Sequence, residues 1–325
     1  ANKSCAAPNS PRFNFTATTA PQYSKGQLAV ARANMPSDNT VLAVTFIGFF
    51  FMTSAYFIFT ALADHFHAEE TSVMTEQVPL WLRLIIALFS GAILFGVILL
   101  VGMFFIRMER QKMLGNAMQV EYSDYAWLRD WANVTAADLG LPRVEIFVTQ
   151  NPVINAYAFG FMNPYCIVLH SGSIRYLTPD ELKTVVIHEM GHIKYKHTIA
   201  MLYLQPFLAL PFVSSVSGWL AGFWQRRTEY TADRLALTYT EDPELVKNAL
   251  VKVHIGPDVA EGMNETARQW QRYTANRPMN RFAQTLSDHP YLVRRLDHID
   301  EMAAKLLTPQ APAAPTQPTT PAQPQ

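Results

Sequence analysis

The sequence is short of cysteine and carries no excess charge of either sign. Only two of its 325 residues are cysteines, too few for a disulfide framework. Cys5 lies in a polar stretch, and we interpret Cys166, which lies in an apolar run, as a packing residue. Lysine and arginine together number 26, as do aspartate and glutamate, so no overall field attracts a polyanion. The composition therefore argues against nucleic-acid binding.

Two apolar runs are long enough to cross a membrane. Residues 41–63 and 84–106 each contain 23 residues without a charged side chain, and about 20 apolar residues span the hydrocarbon core of a bilayer. We predict a transmembrane helix in each run, with an extracytoplasmic connector at 64–83.

Charge placement predicts the orientation of these helices. The stretch 64–80 has four acidic residues and no lysine or arginine, whereas residues 1–40 have four basic residues. The positive-inside rule places the connector outside, and residues 1–40 and those after Ile106 in the cytoplasm, with Arg83 as the one residue against it. We predict a multi-pass protein of the cell or inner membrane, with the domain that follows the second apolar run on the cytoplasmic side.

The second apolar run also carries small residues at four-residue intervals, namely Ala87, Gly91, Ala92 and Gly96. This spacing lets two helices approach closely in lipid. It can support a homo-oligomer through the transmembrane helices, or the helix can simply face lipid.

A third apolar block, residues 198–224, has no charged side chain but contains Pro206 and Pro211. Two prolines disfavour a single straight span. The block can form a bent helical hairpin within the catalytic domain or a segment that dips into the membrane.

Both ends of the sequence are predicted to be disordered. Residues 1–40 are rich in small and polar residues and show no apolar periodicity. Residues 306–325 carry proline at every third position from 309 to 324, which gives one ridge on a polyproline II helix. This tail can be a docking motif or a solvated spacer.

The strongest chemical signal is the run His188-Glu189-Met190-Gly191-His192, which matches H-E-x-x-H. Residues 178–181 read as a capping box that starts the helix. His188 and His192 are four apart and share one helix face, so they can bind one metal ion. Glu189 follows the first ligand and can act as the general base. Apolar residues before the motif predict a buried helix, where unpaired imidazoles would be costly.

A catalytic zinc site needs a third protein ligand. The metzincin pattern would place histidine where the sequence has Thr198, so that class is excluded. We predict Glu229 as the third ligand, with Asp233 accepting the free N–H of a ligating histidine. The alternative is a solvated helix with charge pairs four residues apart. His197 is predicted to lie off the ligand face, at a helix end.

These motifs, with Asn155-Ala156-Tyr157-Ala158 before them, resemble the HtpX and CAAX prenyl protease family of integral-membrane zinc endopeptidases over residues 110 to 300. The resemblance implies a gluzincin-type fold with a mixed sheet beside the zinc helix, in which residues 166–170 can form an edge strand. It also implies that Asn155 and His289 line the substrate cleft and stabilise the transition state. From the sequence alone, Asn155 is a turn residue and His289 a helix-start residue.

Two further predictions complete the site. Arg294 and Arg295 are interpreted as surface charges. The interval between His192 and Glu229 does not show two clear spans, so the four-span arrangement of HtpX does not follow and cleavage of prenylated CAAX proteins is not predicted.

The predicted fold class is α+β and mostly helical. It comprises two N-terminal transmembrane helices and a gluzincin-type zinc metalloprotease domain, residues 107–305, with a small mixed sheet. The predicted function is zinc-dependent hydrolysis of peptide bonds, with one zinc per chain, in unfolded or damaged proteins during quality control. A catalytically inactive zinc-binding membrane scaffold and a metal-dependent amidase for small molecules are the alternatives.

Overall fold

A computed structural model describes residues 23–70, 78–159, 164–209, 211–287 and 289–307. Over these ranges most residues are helical, and four strands form one small mixed sheet, which confirms the predicted fold class. The helices are α1 (Lys25–Ala33), α2 (Ser37–Glu70), α3 (Leu80–Leu114), α4 (Ala126–Asp138), α5 (Ser171–Tyr176), α6 (Pro179–Lys194), α7 (His197–Leu208), α8 (Pro211–Thr240), α9 (Pro243–Ile255), α10 (Pro257–Ala260), α11 (Glu265–Ala275), α12 (Pro278–Thr285) and α13 (Leu292–Leu306). The strands are β1 (Met118–Gln119), β2 (Val144–Thr149), β3 (Ala156–Phe159) and β4 (Tyr165–His170).

Helices α2 and α3 are each long and apolar enough to cross a membrane. Both continue past the predicted spans, because backbone hydrogen bonding does not stop where the apolar run stops. The predicted extracytoplasmic connector over 64–83 is therefore helical at both ends. Its place outside the membrane stays a prediction, and residues 71–77 lie outside the described residues. At 1.5 Å per residue, α3 is about 52 Å long, so it extends well beyond the roughly 30 Å apolar core of a bilayer.

The prediction of a disordered arm over residues 1–40 is wrong from residue 24 onward; residues 1–22 lie outside the described residues. Helix α1 starts with a capping box made by Ser24 and Gln27. Its Ala29 and Ala33 are buried in the core of the globular part. These small side chains give no strong apolar pattern, but they let α1 pack closely on its neighbours.

Helices α2 and α3 pack on each other through small residues. A side chain at Gly91 would collide with Ser54 of α2, and Ala87 is also buried. A side chain at Gly96 would meet nothing within 4 Å. Part of the small-residue stripe is thus used inside one chain, and a homo-oligomer through it stays a prediction.

The third apolar block folds as a bent helical hairpin, α7 followed by α8, with the break near residue 209. Pro206 lies against Gly102 of α3. Phe207 stacks on Phe95 with 4.6 Å between ring centroids, and buried Trp224 belongs to the same apolar cluster. The hairpin therefore packs on the two long apolar helices.

The sheet has strand order β1-β2-β4-β3, with β2 and β4 parallel and the other pairs antiparallel. The prediction that residues 166–170 form an edge strand is wrong, because β4 is central and β3 is at the edge. The consecutive buried residues Cys166 to Leu169 are typical of a strand covered on both faces. Cys166 is a buried packing residue, as predicted.

Candidate metal centre

Helix α6 carries the two histidines, and a capping box fixes its N-terminus. Thr178 accepts the N–H of Glu181, and Glu181 accepts the N–H of Thr178 at 2.8 Å, so the predicted capping box is formed. Val186 and Met190 are fully buried on one side of the helix. His188 and His192 therefore face the opposite side, toward α8.

A close contact between helices sets the distance to the third candidate ligand. A side chain on Gly191 would meet the Ala232 Cα at 3.1 Å, so any larger residue here would require α6 and α8 to separate slightly. Ala232 is three residues from Glu229 on α8. The contact at Gly191 thus brings the carboxylate of Glu229 opposite the imidazoles.

The three predicted ligand side chains converge. The Nε2 atoms of His188 and His192 are 3.2 Å apart. Each lies 3.5 Å from a carboxylate oxygen of Glu229. All three donor atoms lie within 4.8 Å of one another. Two imidazoles and one carboxylate are the protein ligands of a known class of catalytic zinc sites, which keep the fourth position for water or substrate.

A second layer of charge surrounds these donors. The Nδ1 atom of His188 is 3.0 Å from Asp233 Oδ1. Arg295 donates to both oxygens of Asp233, at 2.8 and 2.6 Å, and its Nη1 lies 3.0 Å from Glu229 Oε2. This arrangement fixes the ring of His188 and neutralises part of the acidic charge.

The prediction that Arg295 is a surface charge is wrong, because only 4% of the residue is exposed. Arg294 is partly exposed and donates to Asn276 at 2.5 Å. The signal for Arg295 was its position in α13. It lies three residues after buried Leu292 and four before buried Ile299, so it falls on the apolar face of the helix.

The carboxyl groups stay ionised although they are buried. Burial opposes their ionisation, but the charge of Arg295 and the hydrogen bonds from His188 outweigh it. The pKa values of Glu229 and Asp233 therefore lie well below their usual range.

The two histidines differ in protonation. Burial lowers the pKa of His192 to about 4, and the charge of Glu229 offsets this only in part. Burial acts in the same direction on His188, but its hydrogen bonds to Asp233 and Glu229 raise the pKa to about 10. In the metal-free protein His192 is neutral and His188 holds a proton, so metal binding must release that proton.

Glu189 is buried beside the donors and contacts the edge of the sheet. Its Oε2 accepts the N–H of Ala158 on β3 at 2.7 Å. Burial raises the pKa of Glu189 to about 7. The charge of His188 opposes this rise, and the charge of Glu229 adds to it. A carboxyl group with this pKa can take up and release a proton near neutral pH.

His197 touches the site, which the sequence did not predict. It is the first residue of α7, at a helix end as expected, but it is buried with its Nδ1 3.2 Å from Nδ1 of His192. Lys196 adopts the left-handed conformation, with φ 62°, and turns the chain back toward α6. Burial lowers the pKa of His197 well below its usual value, so its neutral ring can accept the N–H of His192.

We expect His197→Phe to weaken zinc binding about 10- to 100-fold, since outer partners of a metal-ligating histidine are worth that much. Phenylalanine keeps a ring against Trp224 but removes the acceptor. A competition titration against a chromogenic chelator measures the affinity. His254→Phe is the matched control, because His254 lines the same cleft and its ring contacts the Leu250 carbonyl of its own helix at 2.9 Å. Equal affinity in both variants would show that His192 is oriented without His197.

Asn155 and His289 line the same cleft of about 1770 Å³ as the metal donors. Nδ1 of His289 is 3.6 Å from Glu229 Oε1, and the side chain is largely exposed. Asn155 precedes β3, and its Oδ1 accepts the N–H of Ala156 at 3.0 Å. Its backbone N–H donates to the hydroxyl of Ser173, also at 3.0 Å. The structure brings both residues to the cleft, and a role in the transition state stays a prediction.

The end of α3 forms another wall of the cleft. Phe105, Ile106 and Arg110 line it together with strand β3. The guanidinium of Arg110 lies 4.7 Å from the ring centroid of Phe159 and donates to Cys166 Sγ. The cleft is therefore bounded partly by a helix that is long and apolar enough to cross a membrane.

Comparison with known proteins gives one family. The model of peptidase family M48 matches residues 123–303. The plastoglobule-localized metallopeptidase 48 of the Arabidopsis thaliana chloroplast is 30% identical over 213 residues, 59% of this chain and 61% of that protein. A protease HtpX homolog of Moorella thermoacetica is 28% identical over 211 residues, 52% and 69% of the two chains. One of Persephonella marina is 34% identical over 80 residues, 24% and 27% of the two chains. The chain thus spans about three fifths of the first relative and about a quarter of the last.

Proposed function

The chain belongs to peptidase family M48, which confirms the predicted family, and on this premise we propose that it is a membrane-anchored, zinc-dependent endopeptidase. One observation carries the proposal. The donor atoms of His188, His192 and Glu229 converge within 4.8 Å, and the buried carboxylate of Glu189 lies between them and the edge strand.

Zinc fits this donor set, because two histidines and one glutamate are the protein ligands of a known class of catalytic zinc sites. Imidazole ligands suit zinc, copper, iron or nickel, whereas magnesium and calcium prefer oxygen ligands. The three protein ligands leave a coordination position for water or substrate. When bound, zinc supplies Lewis acidity toward the scissile carbonyl and acidifies water.

Glu189 moves the proton in this proposal. Its carboxylate takes a proton from the attacking water and delivers it to the leaving amine. In the metal-free protein burial raises its pKa to about 7, so it is a better proton acceptor than a solvated carboxylate. His289, on the open side of the cleft, and Asn155 are proposed to contact the substrate and stabilise negative charge in the transition state.

The edge strand provides a way to hold an extended polypeptide. Ala158 pairs with Ile167 of β4, yet its N–H points away from β4 to Glu189. The free edge of β3 therefore faces the metal donors. A substrate added as a further strand would lie across the site, and this mode selects segments that are already unfolded. We accordingly propose unfolded or damaged polypeptides as substrates.

The proposed placement follows from the two long apolar helices. Both α2 and α3 cross the bilayer, and the cleft lies on the cytoplasmic side. Helix α3 then runs from the bilayer directly into the wall of the cleft.

Metal removal tests the proposed function. We expect chelation to lower the cleavage of an unfolded protein such as casein at least about 100-fold, and one equivalent of zinc, but not magnesium, to restore it. The rate should also rise with peptide length, because a longer peptide pairs with more of β3. Activity that survives chelation would refute zinc dependence, and equal rates on single amides and long peptides would indicate a small-molecule amidase.

A further inference from the structure

The short helix α12 presents an apolar face that no described residue covers. Met279, Phe282 and Leu286 lie three and four residues apart and share one side of the helix. They are 74%, 63% and 66% exposed. The other side is fastened to the protein, where the Tyr291 hydroxyl donates to the Asn280 carbonyl at 2.9 Å. Single exposed apolar residues are common, but a group on one short helix marks an interaction surface.

We call the surface formed by Met279, Phe282 and Leu286 the α12 apolar face. The position of α12 on the molecule indicates what this face contacts. Arg226 of α8 donates to the carbonyl of Thr285, the last residue of α12, at 3.2 Å. The next residue, Arg227, pairs with Asp38 in the first turn of α2 at 2.9 Å. The uncharged run of α2 begins three residues later, at residue 41. The end of α12 is therefore level with the point where α2 becomes apolar.

Exposed aromatic residues accompany it at this level. Trp219 and Phe223 lie one turn apart on α8, just before Arg226, and are 54% and 42% exposed. Tryptophan is enriched where membrane proteins meet the headgroup region, and phenylalanine accompanies it on the apolar faces of interfacial helices.

The charge of this segment is positive. Residues 265–287 contain four arginines and a single acidic residue, Glu265. Arg272 is paired with Glu265 and Asp297. Within the part of the chain that the structure describes, no carboxylate pairs with Arg277 or Arg281. Basic side chains beside an apolar helix face favour the surface of an anionic bilayer.

We propose that α12 lies on the bilayer surface, with the α12 apolar face at the boundary between headgroups and acyl chains, and with Arg277 and Arg281 against anionic phosphates. The proposal rests on the proposed membrane anchoring by α2 and α3. It adds a membrane contact next to the cleft besides that of α3, since Leu286 and His289 line that cleft. The cleft is then held at a fixed height above the membrane.

Site-specific quenching by lipid tests this contact in the complete chain. A fluorophore is attached at Met279→Cys or Phe282→Cys in a Cys5→Ser background, where the remaining Cys166 is buried. The protein is placed in nanodiscs of phosphatidylcholine with phosphatidylglycerol, and lipids carry a spin label near the headgroup. Val134→Cys on α4, also exposed, is the negative control. Phe59→Cys on α2 is the positive control for the span.

We expect quenching at positions 279 and 282 to exceed that at position 134 about twofold or more. Arg277→Gln with Arg281→Gln should reduce it in anionic discs and not in discs of phosphatidylcholine alone. Quenching at 279 and 282 no greater than at 134, with position 59 strongly quenched, would overturn the proposal and leave the anchoring intact. The absence of quenching at position 59 would instead refute the anchoring itself.

Two other results would also overturn the proposal by identifying another occupant. Emission at position 279 that is insensitive to lipid but changes with an unfolded polypeptide would show that substrate covers the face. Emission that depends on the number of chains per disc would show that a second copy covers it.

Discussion

Glu189→Gln is expected to lower the rate of peptide hydrolysis roughly 10²- to 10⁴-fold, the usual contribution of a positioned general base. The amide has nearly the shape of the carboxylate but cannot take the proton of the attacking water. Glu189 is not one of the converging donors, so zinc content should stay at one ion per chain. Metal analysis and cleavage of an unfolded protein, measured on the same preparation, separate binding from chemistry.

Asp180→Asn is the matched control, because it makes the same change on an exposed carboxylate in the first turn of the same helix. It should keep both zinc and activity. If Glu189→Gln cleaves as fast as the wild type, Glu189 is not the base. If the wild type and Glu189→Gln both hold zinc and neither cleaves, the membrane-scaffold hypothesis replaces the protease hypothesis.

Arg295→Met is expected to destabilise the protein by about 3 to 5 kcal/mol, since removing one partner leaves a buried charge uncompensated. Arg295 contacts two buried carboxylates, Glu229 and Asp233, and neither has another arginine or lysine partner among the described residues. Methionine has a similar length, so lost packing contributes little. The free energy of unfolding, measured with denaturant on the zinc-free protein in detergent, gives the effect.

Arg294→Met provides a close control, since it removes the neighbouring arginine from a partly exposed position. We expect a change within about 0.5 kcal/mol there. Arg295→Lys should recover part of the stability, because lysine restores the charge but cannot form the two parallel hydrogen bonds to Asp233. A loss that is equal for Arg294→Met and Arg295→Met would contradict the role of the buried charge.

The convergence of the candidate metal donors could be predicted from sequence because local geometry decides most of their placement. His188 and His192 lie one turn apart on a helix whose start is written in residues 178–181. Glu229 followed from the need for a third ligand, together with the resemblance to a known family. The contacts of Arg295 could not be predicted in this way. Its position on the apolar face of α13 indicates burial, but it does not show that the partners are Glu229 and Asp233, which are distant in sequence.

The sheet and the first helix show a different limit. The order of strands depends on pairing between distant segments. Strand β3 has only four residues, which are too few to show whether it lies at the edge or in the centre of the sheet. Helix α1 packs through Gly26 and two alanines, which carry little hydrophobic signal. The length of α2 and α3 was underestimated because hydropathy reports where a helix is apolar and not where its hydrogen bonds end.

The buried ion cluster also determines when, during translation, the candidate metal centre can assemble. The carboxylate of Asp233 and the guanidinium of Arg295 are separated by 62 positions along the chain. A ribosome that adds about 5 to 20 residues per second completes α8 several seconds before α13 has emerged. During that interval the nascent chain contains the candidate metal donors but lacks Arg295, whose positive charge stabilises the buried carboxylates of Glu229 and Asp233. The candidate metal centre therefore reaches its final arrangement only after residue 295 has been synthesised, several seconds after both long apolar helices are complete.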